Sequence, residues 1–428
     1  TAYEQYPITS FEDPTFFIVL EGMIYNIDDA AIREDLFAIA NEAHKDGSFK
    51  ETITRFLAQA DGEFIVLIYD KQTRDLCVFN DALGRLPFFW YKNDEVLAFS
   101  REIKFMYPFI GQITFHRLAL MEYLLYGFAL GERTLIEGVE RLLPATLVMY
   151  RALDHGLANV VNIEEQVMMQ EGTDVVYYTG LYGGELLRYL NVTSGLGSDD
   201  DLAQFLLTTP DQYRYAHQKV CVMLQVPEDV ILQHLRAHIS TYPEKSPYTK
   251  YLHFKFEKDY KWAGPGEDRN RIFFWTITPF YSKDFFSMAY KINERKKDTL
   301  FFRDFLYSLD PKTCIVDYYN TKMPLASPLR LRIYSLAENA VRHPWIRQLG
   351  WQAMHIKKRF SAPQRPDAKN EEVRNIALDL LEKSDLIKEY FSLPATRDVI
   401  RVETDQGKLQ RILTLFIYMD AVDRAGYS

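Results

Sequence analysis

Residues 61–106 read DGEFIVLIYDKQTRDLCVFNDALGRLPFFWYKNDEVLAFSREIKFM, and the fold is decided there. Residues 64–69 are an apolar run of buried-strand length, and 76–79 follow the turn at 70–74 as its hairpin partner. Asn80-Asp81-Ala82-Leu83-Gly84-Arg85-Leu86-Pro87 is rich in turn formers and feeds the aromatic run 88–91. Asn93-Asp94 marks another turn before 96–99. Short strands separated by tight turns predict antiparallel sheet. Phe64, Val66 and Ile68 alternate and are expected on one inner face.

Working outward, residues 1–16 are polar and irregular, and 17–20 read as a buried strand. Residues 28–40 have helical spacing with acidic residues in the first turn, and 49–60 form a second amphipathic pattern. Residues 118–126 read as a helix ended by Gly127, and 144–150 and 160–161 as closing strands. The spacing downstream predicts helices at 226–240, 299–309, 328–343, 371–383 and 406–422, with a polar, proline-bearing linker at 360–373. The expected class is α+β, antiparallel strands with helices, followed by an α/β to mostly helical part.

The composition narrows the classes. Hydrophobic residues are 47% and charged residues 25% of 428, a globular balance with room for two or three domains. A net charge of −9 argues against a broad nucleic-acid-binding surface. Cys77, Cys221 and Cys314 form no C-x-x-C pair, so neither a disulfide framework nor a zinc ribbon is indicated. No secretory leader pattern and no apolar run of membrane-spanning length occurs, so a cytoplasmic setting without membrane contact is expected.

The 61–106 stretch resembles the class II glutamine amidotransferase domain of asparagine synthetases, which reads G-x-F-A … D, then R-D-x-x-G-x-x-P-L-Y, then A-S-E-x-K. Phe17-Ile18-Val19-Leu20-Glu21-Gly22-Met23-Ile24-Tyr25-Asn26 is similar to the family's strand ending in N-G-E-I-Y-N. Arg133-Thr134-Leu135-Ile136-Glu137-Gly138-Val139-Glu140-Arg141-Leu142-Leu143-Pro144 resembles its R-T-x-F-x-G-I-x-x-L-x-P-G. The resemblance implies a four-layer Ntn sandwich at 1–163 and an asparagine-synthase-like domain at 164–428. It implies ATP-dependent amide formation on a carboxylate substrate, with glutamine or ammonia as nitrogen source and ATP and magnesium as cofactors. A homodimer or a partner protein is compatible with it. The family's phosphate loop, S-G-G-x-D-S, is not seen after a strand near 163/164, where a block of the family order is missing. A catalytically degenerate scaffold that binds a partner is therefore the alternative.

The family attacks glutamine with an N-terminal cysteine and holds the oxyanion with an asparagine side chain and a glycine N–H. Glu21 stands at the asparagine position and Met23 at the glutamate position, while Gly22 and Asn26 match. A carboxylate there repels the developing negative charge, no cysteine precedes it, and Thr1 lies too close in sequence to Gly22. The glutaminase half is therefore expected to be inert. In the second part, Thr179, Gly180, Gly183, Gly184 and Glu185 follow a strand and resemble the loop V-L-S-G-E-G-S-D-E. Leu181 and Gly184 replace its acidic residues, which leaves Glu185, with Asp199 farther on, for magnesium. Residues 275–285 resemble the turn R-x-P-F-L-D … F, with Ile277 for its arginine and Ser282 for its aspartate; Lys296 and Lys297 lie near its lysine position. Residues 194–200 match the glycine-rich loop better by letters but lack a strand in front, and Ser198 reads as a helix cap. His234 and His238, spaced i, i+4, have zinc-ligand spacing without a third ligand, so an ordinary helix face is the plainer reading. Arg330, Arg332, Arg342, Lys357, Lys358 and Arg359 read as a solvated face.

Overall fold

The computed structural model describes residues 6–45, 49–152, 159–162, 177–178, 186–187, 196–209, 214–263, 276–292, 297, 299–315, 317–318, 323–325, 327, 329, 332–333 and 368–427. The chain is mixed α+β, with its large sheets in the first part and helices after them. The first part contains β1 (Ile8–Glu12), β2 (Phe16–Ile24), α1 (Asp29–Lys45), α2 (Phe49–Gln59), β3 (Gly62–Asp70), β4 (Leu76–Asn80), β5 (Phe89–Lys92), β6 (Val96–Ser100), α3 (Arg117–Tyr126), β7 (Val139–Arg141), β8 (Leu147–Tyr150) and β9 (Asn159–Asn162). One sheet has the order β1-β2-β3-β4-β8 and the other β7-β5-β6-β9.

Alternation along the strands sorts the cores. Phe16, Ile18 and Leu20 of β2 and Phe64, Val66 and Ile68 of β3 pack with Ile32, Leu36 and Ile39 of α1 and Phe56 of α2. Ile65 of β3 and Val78 of β4 point the other way and meet Phe88, Leu97 and Phe99. The Phe88 and Phe99 rings stack with centroids 5.8 Å apart. Each such fully buried side chain contributes roughly 1.5–3 kcal/mol. Tyr91 and Val139, from the second sheet, join a third core with Leu120 and Leu124 of α3. Asp28 starts α1 by accepting from Ala31 N at 3.0 Å, and Gly127, with φ 88°, ends α3.

Downstream helices are α4 (Asp199–Thr208), α5 (His217–Leu224), α6 (Glu228–Ser240), α7 (Pro247–Lys258), α8 (Lys283–Lys291), α9 (Thr299–Leu309), α10 (Ala368–Lys383), α11 (Asp385–Tyr390), α12 (Leu393–Val402) and α13 (Gln406–Arg424). Leu235 of α6, Ile400 of α12 and Phe416 of α13 share the third core with α3. Arg117 donates to the carbonyls of Leu224 and Tyr390, and the Tyr107 and Tyr418 hydroxyls lie 2.7 Å apart.

Three expectations are corrected. Phe64, Val66 and Ile68 share a face, but it is the helix-covered one; Ile65 faces the second sheet. Two amphipathic helices lie on that side, so both faces of β3 are buried and alternation alone cannot say which looks at the other sheet. The second sheet is not purely antiparallel, because β6 and β9 run parallel. Residues 8–12, read as irregular, form β1, an exposed edge strand whose lack of a buried face leaves no apolar signal. The expected discontinuity at 163/164, most of 328–343 and residues 360–367 lie outside the described residues.

Candidate active site

Where β2 ends against β3, Glu21 pairs with Ile65 and Gly22 with Phe64. Side chains of odd-numbered residues on β2 turn toward the second sheet, so Glu21 reaches Arg101 just beyond β6. Arg101 Nη1 forms a short ion pair with Glu21 Oε1, and the Tyr6 hydroxyl donates to the same oxygen at 2.6 Å. Arg101 Nη1 also lies 3.1 Å from the Tyr6 oxygen, and its Nε donates to the Pro87 carbonyl. Gly22 N–H donates to Pro7 O at 2.7 Å. The carboxylate expected to repel an oxyanion is thus neutralised, and the glycine N–H already has an acceptor. Asn26 faces elsewhere: it donates to Gln59 O and accepts from Asp61 N, both at 2.8 Å, and so ties the end of β2 to the start of β3. Met23 packs partly buried between the sheets.

Beside this strand end lies a buried polar hub. Asp81 accepts from the backbone N–H groups of Leu83 and Arg85, both at 3.0 Å, and from Arg85 Nε at 3.1 Å. Arg85 also reaches Asp61 at 3.2 Å, Gly62 O, and Tyr281 O at 3.1 Å. Burial works against the Arg85 charge, but Asp81, Glu63 and Asp61 overcome it and raise its pKa further above the usual value. Asp61 accepts from Lys283 N at 3.2 Å and the Tyr281 hydroxyl donates to Leu83 O, so the turn after β4 is bonded to the segment before α8. Nearby, the Tyr260 hydroxyl donates to Leu142 O at 2.8 Å, and Arg141 stacks 4.0 Å from the Tyr260 ring.

Residues 177–178 form a short parallel pair with 276–277, which brings together the two segments of the second part singled out by their motifs. The loop residues Thr179, Gly180, Gly183, Gly184 and Glu185 lie outside the described residues, as do Thr1, Lys296, Arg330, Arg342, Lys357, Lys358 and Arg359. Ser282 caps α8 by accepting from Phe285 N, and Lys297 is buried. Asp199 lies at the start of α4, capped as expected by Ser198, and its carboxylate bonds Lys250 Nζ at 2.7 Å. Among the described residues no group of three or more His, Cys, Asp and Glu side chains could hold a metal ion.

His234 and His238 do not share a ligand. His234 Nε2 lies 2.5 Å from Glu122, and His238 Nε2 lies 2.9 Å from Glu257. Burial pushes Glu122 up, but His234, Arg133 and the Leu130 N–H bring it below the ordinary glutamate range. Glu257 is likewise raised by burial and brought well below its usual value by Lys261 and His238. Gly131 N and the Tyr242 hydroxyl also donate to Glu257. Sequence reasoning missed this double clamp, because Glu122 lies 112 residues from His234 and Glu257 lies 126 residues from Gly131.

Residues 3–158 match the family of glutamine amidotransferase domains. The chain is similar to a probable glutamine-hydrolysing asparagine synthetase of Dictyostelium discoideum, at 31% identity over 22% of this chain and 18% of that protein. It is also similar to glutamine-hydrolysing asparagine synthetase 1 of Bacillus subtilis, at 22% identity over 39% of this chain and 29% of that one. These matches span less than a third of the relatives' length. No helix among the described residues is long and apolar enough to cross a membrane.

Proposed function

We propose, for an asparagine-synthetase-like chain with a glutamine amidotransferase-type domain at 3–158, a ligase of that kind whose glutaminase half is inert. It forms an amide on a carboxylate substrate at the expense of ATP, and takes its nitrogen as ammonia. The first domain is a four-layer Ntn sandwich, a reading supported by helices packed on β2 and β3 and by the core between the sheets. The second domain is taken to begin near residue 164.

The occupation of the strand end at Glu21–Gly22 carries the proposal. Oxyanion stabilisation needs N–H donors aimed at an empty position. Here the Gly22 N–H is bonded to Pro7 O, and the side chain at 21 is an acceptor, not a donor. Losing one such donor typically costs about 100–1,000-fold in rate. The purified protein is expected to release no ammonia from glutamine above the uncatalysed background; steady release would sink the inert reading.

For the ligase half, the support is the parallel pairing of 177–178, the residues that precede 179–185 in the sequence, with 276–277 of the second motif-bearing segment. Three glycines in 179–185 let backbone N–H groups approach a phosphate. Magnesium fits less well: Asp199 is engaged by Lys250, which leaves Glu185 as the remaining acidic candidate. We expect weak ATP binding with little magnesium dependence. Calorimetric titration of wild type and Gly183→Val tests this. Tight magnesium-dependent binding would place the metal on other residues. No binding, with the variant indistinguishable, would favour the scaffold reading.

A further inference from the structure

The contacts around Glu21 have the form of a receptor and its ligand within one chain. Three separate segments meet there: Tyr6 just before β1, Glu21 on β2 and Arg101 after β6. Tyr6 and Arg101 both donate to Oε1 of Glu21, and Tyr6 in turn accepts from Arg101. The Nε–Pro87 O bond fixes the guanidinium independently of Glu21. The side chains of Arg101 and Glu21 are 8% and 13% exposed, so this is an enclosed pair and not a surface one. A fixed guanidinium with a neighbouring phenol is an arrangement that selects carboxylate oxygens, since both groups donate and the charge strengthens each bond. Two departures from the family patterns coincide here: Glu21 stands at the asparagine of N-G-E-I-Y-N, and Arg101 at the serine of A-S-E-x-K.

We propose that Arg101 and Tyr6 form a carboxylate-binding site that Glu21 fills in cis, and that a small external monocarboxylate takes the site when the glutamate is absent. The inference stands on this geometry and does not depend on the ligase reading. It makes Glu21 a built-in competitor whose removal opens a site.

The test is acetate titration of Glu21→Ala at constant ionic strength, with chloride as balancing anion, followed by thermal midpoint and by broadening of labelled acetate. The variant is expected to melt below wild type and to regain much of the loss saturably with acetate, while wild type responds little. Adding Arg101→Met should weaken acetate binding about tenfold or more, the loss of one charged hydrogen bond. Should Glu21→Ala fail to fold, Glu21→Ser, which likewise shortens the side chain and leaves room for acetate, is compared with Glu21→Ser/Arg101→Met in the same way. A response equal in chloride, unchanged by Arg101→Met, or absent from the folded Glu21 variant overturns the proposal.

Discussion

At Gly22 a Cβ would lie 1.9 Å from the carbonyl oxygen of Glu63, and the backbone has φ +100°. Side chains rarely adopt that conformation, and the obstacle is strand backbone that cannot move without breaking the β2–β3 ladder. Gly22→Ala is expected to cost about 3 kcal/mol or more, read as a lower denaturant midpoint. Arg85 is the second position where one residue decides much. Its removal leaves Asp81, Asp61 and Glu63 crowded in a buried site without their cation. Arg85→Met should destabilise by about 3–5 kcal/mol. Combining it with Asp81→Asn should cost less than the sum of the two, because the second change removes part of the charge left stranded by the first. Additive losses in that double-mutant cycle would show that the hub is not electrostatic.

The segment between α3 and β7 shows what whole elements impose. Leu130 N is held by Glu122 of α3, and Gly131 N by Glu257 of α7. Lys261 donates to Ala129 O at 2.7 Å. Both glutamates hold their protons less tightly folded than unfolded, so the unfolded chain binds more protons as acid is added. Their contribution is therefore complete above the ordinary value of 4.5 and is lost as pH falls through the folded-state values. Denaturant midpoints should drop with acidification over that window, and Glu257→Gln should flatten the drop while costing about 3 kcal/mol at neutral pH. An unchanged acid slope would remove Glu257 from the account. Helices α3 and α6 were legible from their spacing, as was the Ser198 cap, whereas α7 was not among the predicted helices. The clamp was not, because Glu257 lies 126 residues from Gly131 and a lone glutamate on a helix looks like any solvated one. The same limit hid Arg101 as the partner of Glu21, 80 residues away. It also hid β1, whose strand character comes from pairing with β2 and not from its own side chains.

At the scale of the molecule, the third core joins Tyr91 of β5, Leu124 of α3, Leu235 of α6 and Phe416 of α13. Phe115 N bonds the Tyr390 hydroxyl at 2.9 Å, a further tie across the chain. A fragment of residues 1–163 would uncover the face of α3 that these helices bury. It is expected to bind a hydrophobic dye and lose near-ultraviolet circular dichroism, whereas the intact chain should lose its sheet and helix signals in one transition. Separate transitions would show that α3 and its neighbours are not one cooperative unit.

Tyr260 and Tyr281, buried in the contact between the first sheet region and the segments before α8, give that contact an optical consequence. Burial is the main cause that raises both phenols above their ordinary value. In alkali the exposed phenols should ionise at once, and these two only as the contact parts. The part of the slow tyrosinate absorbance after a jump in pH that Tyr260→Phe and Tyr281→Phe remove would then time the opening without any label.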